Sequence, residues 1–323
     1  MAILVYIENW DGEFKKVSFE LLSYASKLAE MTGDTVTALS IGQVLEDKLS
    51  RLADYGAQKI LKVESEDLVV LDNQVYTRII SEAASKEDAQ VVLLAHNNVG
   101  KAIAPRLAVR LKAGLGSGLT GLPEKLDPFT TWKKVFSGKA GSRVEIRTPV
   151  KVLTLSQNSF EVSENKVDAK IENFFPESPT RGATSRINLE KQTEKIILTD
   201  AEIVVSAGRG LKSPDNWGPI EELANLLGAA TACSRPVSDE GWRPHSEHAG
   251  QTGKIIAPNL YFAFGISGAI QHLAGVSSSK CIVAVNTDPD APIFEAADYG
   301  IVGDAMKVLP QLISAIKQVK SLC

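Results

Sequence analysis

Residues 250–275 read GQTGKIIAPNLYFAFGISGAIQHLAG. Within them, LYFAFGIS (260–267) has the apolar run of a buried strand, and SGAIQHLAG (267–275) reads as a glycine turn followed by a short helix. A strand passing through glycines into a helix is the repeating unit of a parallel α/β sheet. The same stretch keeps Thr252, Ser267, Gln271 and His272. Polar groups withdrawn from water are costly unless something pairs with them, so the protein or a ligand must do so.

The alternation extends to both sides. AEIVVSAG (201–208) is a strand entering a glycine turn, and WGPIEELANLLG (217–228) is a helix with Gly228 near its end. KCIVAVNTD (280–288) and YGIVGD (299–304) are further strands, and AMKVLPQLISAIKQVK (305–320) is a closing helix. An earlier series runs ILVYIE (3–8), a helix over 18–33 closed by Gly33, TVTALSIG (35–42), a helix over 44–56, KILKVES (59–65), a helix near 73–85 and VVLLAHN (91–97). After Ala113 the chain turns rich in Gly and Pro, and 143–156 alternates like half-exposed strands. The polar stretch 174–195 reads as a linker or extended crossover. The expected fold is α/β, with two doubly wound parallel-sheet domains covering 1–190 and 191–323.

Composition narrows the function classes. The 323 residues, 44% hydrophobic and 23% charged, suit a soluble chain of two domains. A formal net charge of −4 offers no basic excess for nucleic acid or an anionic membrane. Cys233, Cys281 and Cys323 are odd in number and have no metal spacing, which suits a reducing compartment. No apolar stretch reaches membrane-spanning length, and MAILVYIENWDG lacks the basic leader and long apolar core of a signal peptide. A cytoplasmic location is expected.

Several strand ends carry chemistry. SAGRGLKS (206–213) lets backbone approach a ligand and adds Arg209, although it is not GxGxxG and also reads as a turn with a solvated arginine. ACSRP (232–236) puts Ser234 and Arg235 at a strand end; nothing beside Cys233 could act as its base. HAGQTGK (248–254) lacks the spacing of an ATP phosphate loop. At the next junction Ser267, Gly268 and the amides after them could face an anion, with Gln271 and His272 one turn on; a lone histidine there also reads as a satisfied core residue. Asn286 follows another strand, and Asp304 reads equally as a helix cap or a ligand contact. His245 and His248 form HxxH without a third or fourth metal ligand nearby. Together these ends suit an extended, phosphate-bearing cofactor.

SAGRGLKS, SRPVSDEGW, the 250–275 stretch, VNTDPDAPIFEAADYGIVGD and the closing helix resemble the electron transfer flavoprotein alpha subunit over about residues 200–320. NNVGKAIAPRLAVRL (97–111) resembles it more loosely. The resemblance implies an electron carrier without substrate chemistry of its own, a heterodimer with a beta subunit, and a non-covalent FAD held by a Rossmann-like C-terminal domain. Electrons would come from dehydrogenases, typically the acyl-CoA dehydrogenases of fatty acid beta-oxidation, and pass to a membrane quinone oxidoreductase. The N-terminal domain would pack on the beta subunit and hold no nucleotide.

The family's flavin contacts fall on Arg209, Ser234, Arg235, Ala249, Gly250, Gln251, Thr252, Ser267, Gly268, Ala269, Ile270, Gln271, His272, Asn286, Asp304 and Ala305. Arg235 would be the cation over the ring, His272 the donor to its C2 carbonyl and Thr252 a partner of N5, since a fixed cation and donor stabilise the negative charge of one-electron reduction. Amides around Ser267 and Gly268 would take the pyrophosphate, with Asn286 and Asp304 at the adenosine end. Alternatives are a nicotinamide- or acyl-CoA-using oxidoreductase on the same fold, a bifurcating variant of the complex, and a nucleotide-binding scaffold with no redox role.

Overall fold

A computed structural model describes residues 2–136, 138–177, 180–182, 184–185, 187–188 and 196–322. The chain forms two compact units, the first from most of residues 1–189 and the second from most of 190–323.

In the first unit, β1 (Ala2–Ile7), β2 (Thr35–Ile41), β3 (Lys59–Val63), β4 (Ala89–Ala95), β5 (Gly114–Leu119), β6 (Phe129–Val135), β7 (Ala140–Ile146), β8 (Lys151–Leu155) and β9 (Lys170–Asn173) lie in the order β7-β6-β5-β8-β4-β1-β2-β3-β9. From β5 to β9 every pairing is parallel. Alternate residues of β1 feed opposite cores. Ile3, Val5 and Ile7 pack with Leu21, Leu22 and Tyr24 of α1 (Lys16–Thr32). Leu4 and Tyr6 pack with Ile79 and Ile80 of α2 (Asn73–Lys86) and Ile103 of α3 (Asn98–Arg110). Both faces are thus covered, as a parallel sheet requires.

Four details depart from the sequence reading. The β6–β7 hairpin adds an antiparallel edge to the parallel sheet. The helix expected over 44–56 is a short helix, Glu46–Ser50, followed by a tighter turn, Arg51–Asp54, with Leu49 and Leu52 buried. The glycine-rich segment after Ala113 begins with β5, where a Cβ on Gly114 would sit 2.4 Å from Ile146 Cγ2, so the neighbouring side chain fills the space. β8, expected to be half exposed, is an internal strand with Val152 to Leu155 buried. Much of the 174–195 stretch lies outside the described residues; Phe174, at its start, is buried.

The second unit is wholly parallel. Its strands are β10 (Ile203–Ala207), β11 (Ala230–Cys233), β12 (Leu260–Phe264), β13 (Cys281–Asn286) and β14 (Tyr299–Val302), in the order β11-β10-β12-β13-β14. On one face Val205, Phe262, Phe264 and Val285 pack against α4 (Gly218–Leu227) and α6 (Ala305–Leu322). On the other, Val204, Tyr261, Ala263 and Ala284 share a core with Val276 of α5 (Ile270–Val276). Fully burying a side chain such as Phe264 contributes roughly 1.5–3 kcal/mol. The order reverses between β10 and β12, and in open α/β sheets ligands bind beyond the carboxyl ends of strands at that reversal. Among the described residues no helix is long and apolar enough to cross a membrane.

Candidate functional site

The tips of β10 and β12 are knit together by glycine. Gly208 N donates to Phe264 O at 2.9 Å and Gly210 N to Gly265 O at 3.1 Å. A Cβ on Gly208 would lie 2.4 Å from Gly265 O, and one on Gly268 would lie 2.2 Å from Ile293 N. Gly265 and Gly268 also have positive φ, 61° and 84°, a region that side chains disfavour. Glycine is therefore required by contact and by dihedral at these turns.

The tip of β11 continues into the predicted 248–254 loop. Ser234 N donates to Ala207 O at 3.1 Å, and Ala249 N donates to Cys233 O at 3.1 Å. Gln251 N reaches Gln271 O at 2.7 Å, joining this loop to the first turn of α5. Ser234, Ala249 to Thr252 and Gln271 with His272 are thereby brought together with the β10–β12 tips. Gln251, Thr252, Ser267, Ala269, Ile270 and Gln271 are exposed around a floor of buried Ser234, Ala249, Gly250, Gly268 and His272.

Both candidate cations lie on this rim, each in an exposed ion pair. Arg235 Nε is 3.2 Å from Asp239 Oδ2, and Arg209 Nη1 is 3.3 Å from Glu240 Oε1. Such pairs are weak in water and leave a guanidinium free to turn to a ligand.

The residues predicted at the adenosine end are already engaged. Asn286 Nδ2 donates to Ile266 O at 2.9 Å, and its Oδ1 accepts from Asp288 N at 3.0 Å. Asp304 caps α6 by accepting from Met306 N at 3.0 Å and pairs with Lys212 at 3.2 Å, and these partners hold its carboxyl below the usual range. Ala305 is buried at the start of that helix. Asn286 and Asp304 therefore shape the rim whatever else they contact. Lys212, which the motif reading left aside, stands beside Asp304 with a φ of 71°.

His272 lies deepest. Its Nε2 is 2.8 Å from the Tyr261 hydroxyl, and its Nδ1 is buried with no hydrogen-bond partner among the described residues. Burial pushes its pKa down to about 4; the Ala249 backbone, near the ring but outside hydrogen-bond geometry, opposes this shift and His248 adds to it. The imidazole is neutral at physiological pH. Ser206 Oγ is a second buried hydroxyl without a bond of full geometry. Tyr261 and Ser206 escaped the sequence reading because each sits inside an otherwise apolar strand.

The remaining candidates are structural here. His245 Nδ1 bonds Ser238 Oγ at 2.8 Å, while His248 is buried beneath Gly253, whose Cβ would lie 2.7 Å from its Nδ1. Burial first, then Glu247, pushes the Cys233 thiol up to about 12, so it is not a nucleophile at neutral pH. Among the described residues no group of three or more metal-ligating side chains occurs.

Residues 3–179 match the model of the electron transfer flavoprotein domain, and residues 197–277 match that of the electron transfer flavoprotein FAD-binding domain. The chain is 37% identical to the electron transfer flavoprotein subunit alpha of Thermoanaerobacterium thermosaccharolyticum, covering 98% of each chain. It belongs to the electron transfer flavoprotein alpha subunit family. The Bacillus subtilis subunit alpha is 36% identical, covering 98% of this chain and 97% of that one. A protein of Anaerotignum propionicum named acryloyl-CoA reductase electron transfer subunit beta is 33% identical, covering 99% and 96%. Members of this family are electron carriers rather than enzymes, and the matched C-terminal domain is one that takes a flavin.

Proposed function

We propose that this alpha-family chain holds a non-covalent FAD over the tips of β10 to β13 and works as a heterodimer with a beta subunit. It takes electrons from acyl-CoA dehydrogenases and passes them to a membrane quinone oxidoreductase. The observation that carries the reading is the buried Nδ1 of His272, which makes no hydrogen bond among the described residues, beside a turn built on glycines. A buried polar atom without a partner points to a group that the protein itself does not supply. The glycines at 208, 210, 265 and 268 let the loops pack backbone to backbone at the strand tips, the place where an open α/β sheet binds its ligand.

The flavin, when bound, supplies the redox chemistry. This chain's residues bind and tune it. His272 offers a neutral imidazole, and Arg235 brings a permanent positive charge to the rim, which favours a ligand that gains negative charge. Thr252 is the hydroxyl for N5, and the backbone around Ser267 and Gly268 takes the pyrophosphate. Asp304 with Lys212, and Asn286, border the adenosine end.

A second reading, delivery of electrons to an acyl-CoA reductase, is favoured by the name of the Anaerotignum propionicum relative. Co-expression with the beta subunit tests both. The first predicts a yellow complex that an acyl-CoA dehydrogenase and its substrate bleach and a quinone oxidoreductase reoxidises. Reoxidation by an enoyl-CoA with its reductase, and not by the quinone enzyme, selects the second. A colourless complex overturns the FAD assignment.

A further inference from the structure

Under the proposed site runs a buried polar column. Ser206 on β10, Tyr261 on β12 and His272 on α5 meet on one face of the sheet. Tyr261 is fully buried, and its hydroxyl lies 2.8 Å from His272 Nε2, with the two rings 6.1 Å apart. Burial raises the phenol well above its ordinary range. Tyr261 therefore keeps its proton, and the imidazole nitrogen 2.8 Å away is placed to accept it.

A neutral imidazole has one N–H and one bare nitrogen, and the partner of one nitrogen decides the role of the other. We infer that Tyr261 is a positioning residue for the cofactor: its hydroxyl donates to His272 Nε2, holds the ring with its hydrogen on Nδ1, and so keeps a donor ready for the ligand. Among the described residues the Nδ1 side of the ring makes no hydrogen bond of full geometry, with the Ala249 backbone near it. The ring is confined by protein on most sides, since His272 is only 7% exposed. Phenylalanine at 261 would keep the packing and lose the bond, which frees the imidazole to exchange tautomers. The inference rests on the FAD reading above.

The test uses the complex with the beta subunit, labelled with 15N-histidine. The chain has four histidines, and His272→Gln identifies the signal of interest. The wild type should show His272 protonated on Nδ1. Tyr261→Phe should shift it to the Nε2–H form or a mixture and weaken FAD binding roughly fivefold to tenfold, the effect of one lost hydrogen bond. An Nε2–H signal in the wild type overturns the inference, and so does a Tyr261→Phe complex unchanged in both tautomer and affinity. If that variant does not assemble, the wild-type spectrum alone decides. A colourless wild-type complex with an Nδ1–H signal would instead overturn the FAD reading and leave the Tyr261–His272 geometry standing, so the two failures are distinct.

Discussion

Gly210 and Gly265 meet backbone to backbone: a Cβ on Gly210 would lie 2.5 Å from Gly265 Cα, and one on Gly265 would lie 2.7 Å from Gly210 Cα. This contact locks two loops across the point where the sheet order reverses, and it makes the site as sensitive to a methyl group as to a lost charge.

Gly265→Ala should therefore lower stability by about 2–4 kcal/mol, from the positive φ of 61° and the overpacking together. Urea denaturation of the variant measures this, and its flavin content should fall in parallel. A change below about 0.5 kcal/mol would show that the loops separate at little cost.

Arg235→Ala should separate folding from redox tuning. The Arg235–Asp239 pair is exposed, so stability should change by less than about 0.5 kcal/mol. Potentiometry should show the first-electron midpoint potential of the flavin falling, because a nearby positive charge has gone. An unchanged potential removes Arg235 from its assigned role.

His272 makes stability depend on pH. Its pKa is lowered from 6.5 to about 4 in the folded chain, so between these values the unfolded state binds more protons. Its contribution is complete above pH 6.5 and is lost as pH falls through about 4. The fall corresponds to roughly 3 kcal/mol. Denaturation of flavin-free protein should show stability declining over that window, and His272→Gln should flatten the decline. An identical slope in wild type and variant would contradict a buried neutral imidazole.

Arg243 clamps the base of the 248–254 loop. It makes two bonds to buried Glu247, at 2.7 and 2.8 Å, one to Glu221 at 2.8 Å, and lies 5.3 Å from the Trp217 ring. Arg243→Ala removes both of these bonds from a buried carboxylate and should cost about 3–5 kcal/mol, read from thermal or urea unfolding. A stability like that of the wild type would show that water reaches Glu247.

Much of this was readable before any coordinates. Buried parallel strands are continuous apolar runs, so LYFAF and VVLLA announce themselves, and the glycines and polar residues after them mark the tips. What stayed hidden depends on distant partners. β5 carries glycines because Ile146 and Leu153 occupy the space a side chain would need. The tightened turn at Arg51–Asp54 has the same apolar spacing as a helix. Tyr261 looks like one more core aromatic until its hydroxyl is seen against His272, and the engagement of Asn286 and Asp304 by protein partners is a matter of geometry that no motif encodes.

The most direct test of the central claim is an experimental electron-density map of the complex purified with its flavin. The account predicts one FAD on this chain, its ring system at the tips of β10 to β13, with an acceptor atom within hydrogen-bond distance of His272 Nδ1 and the Arg235 guanidinium beside the ring. Flavin density elsewhere, or His272 Nδ1 bonded only to protein, would contradict it.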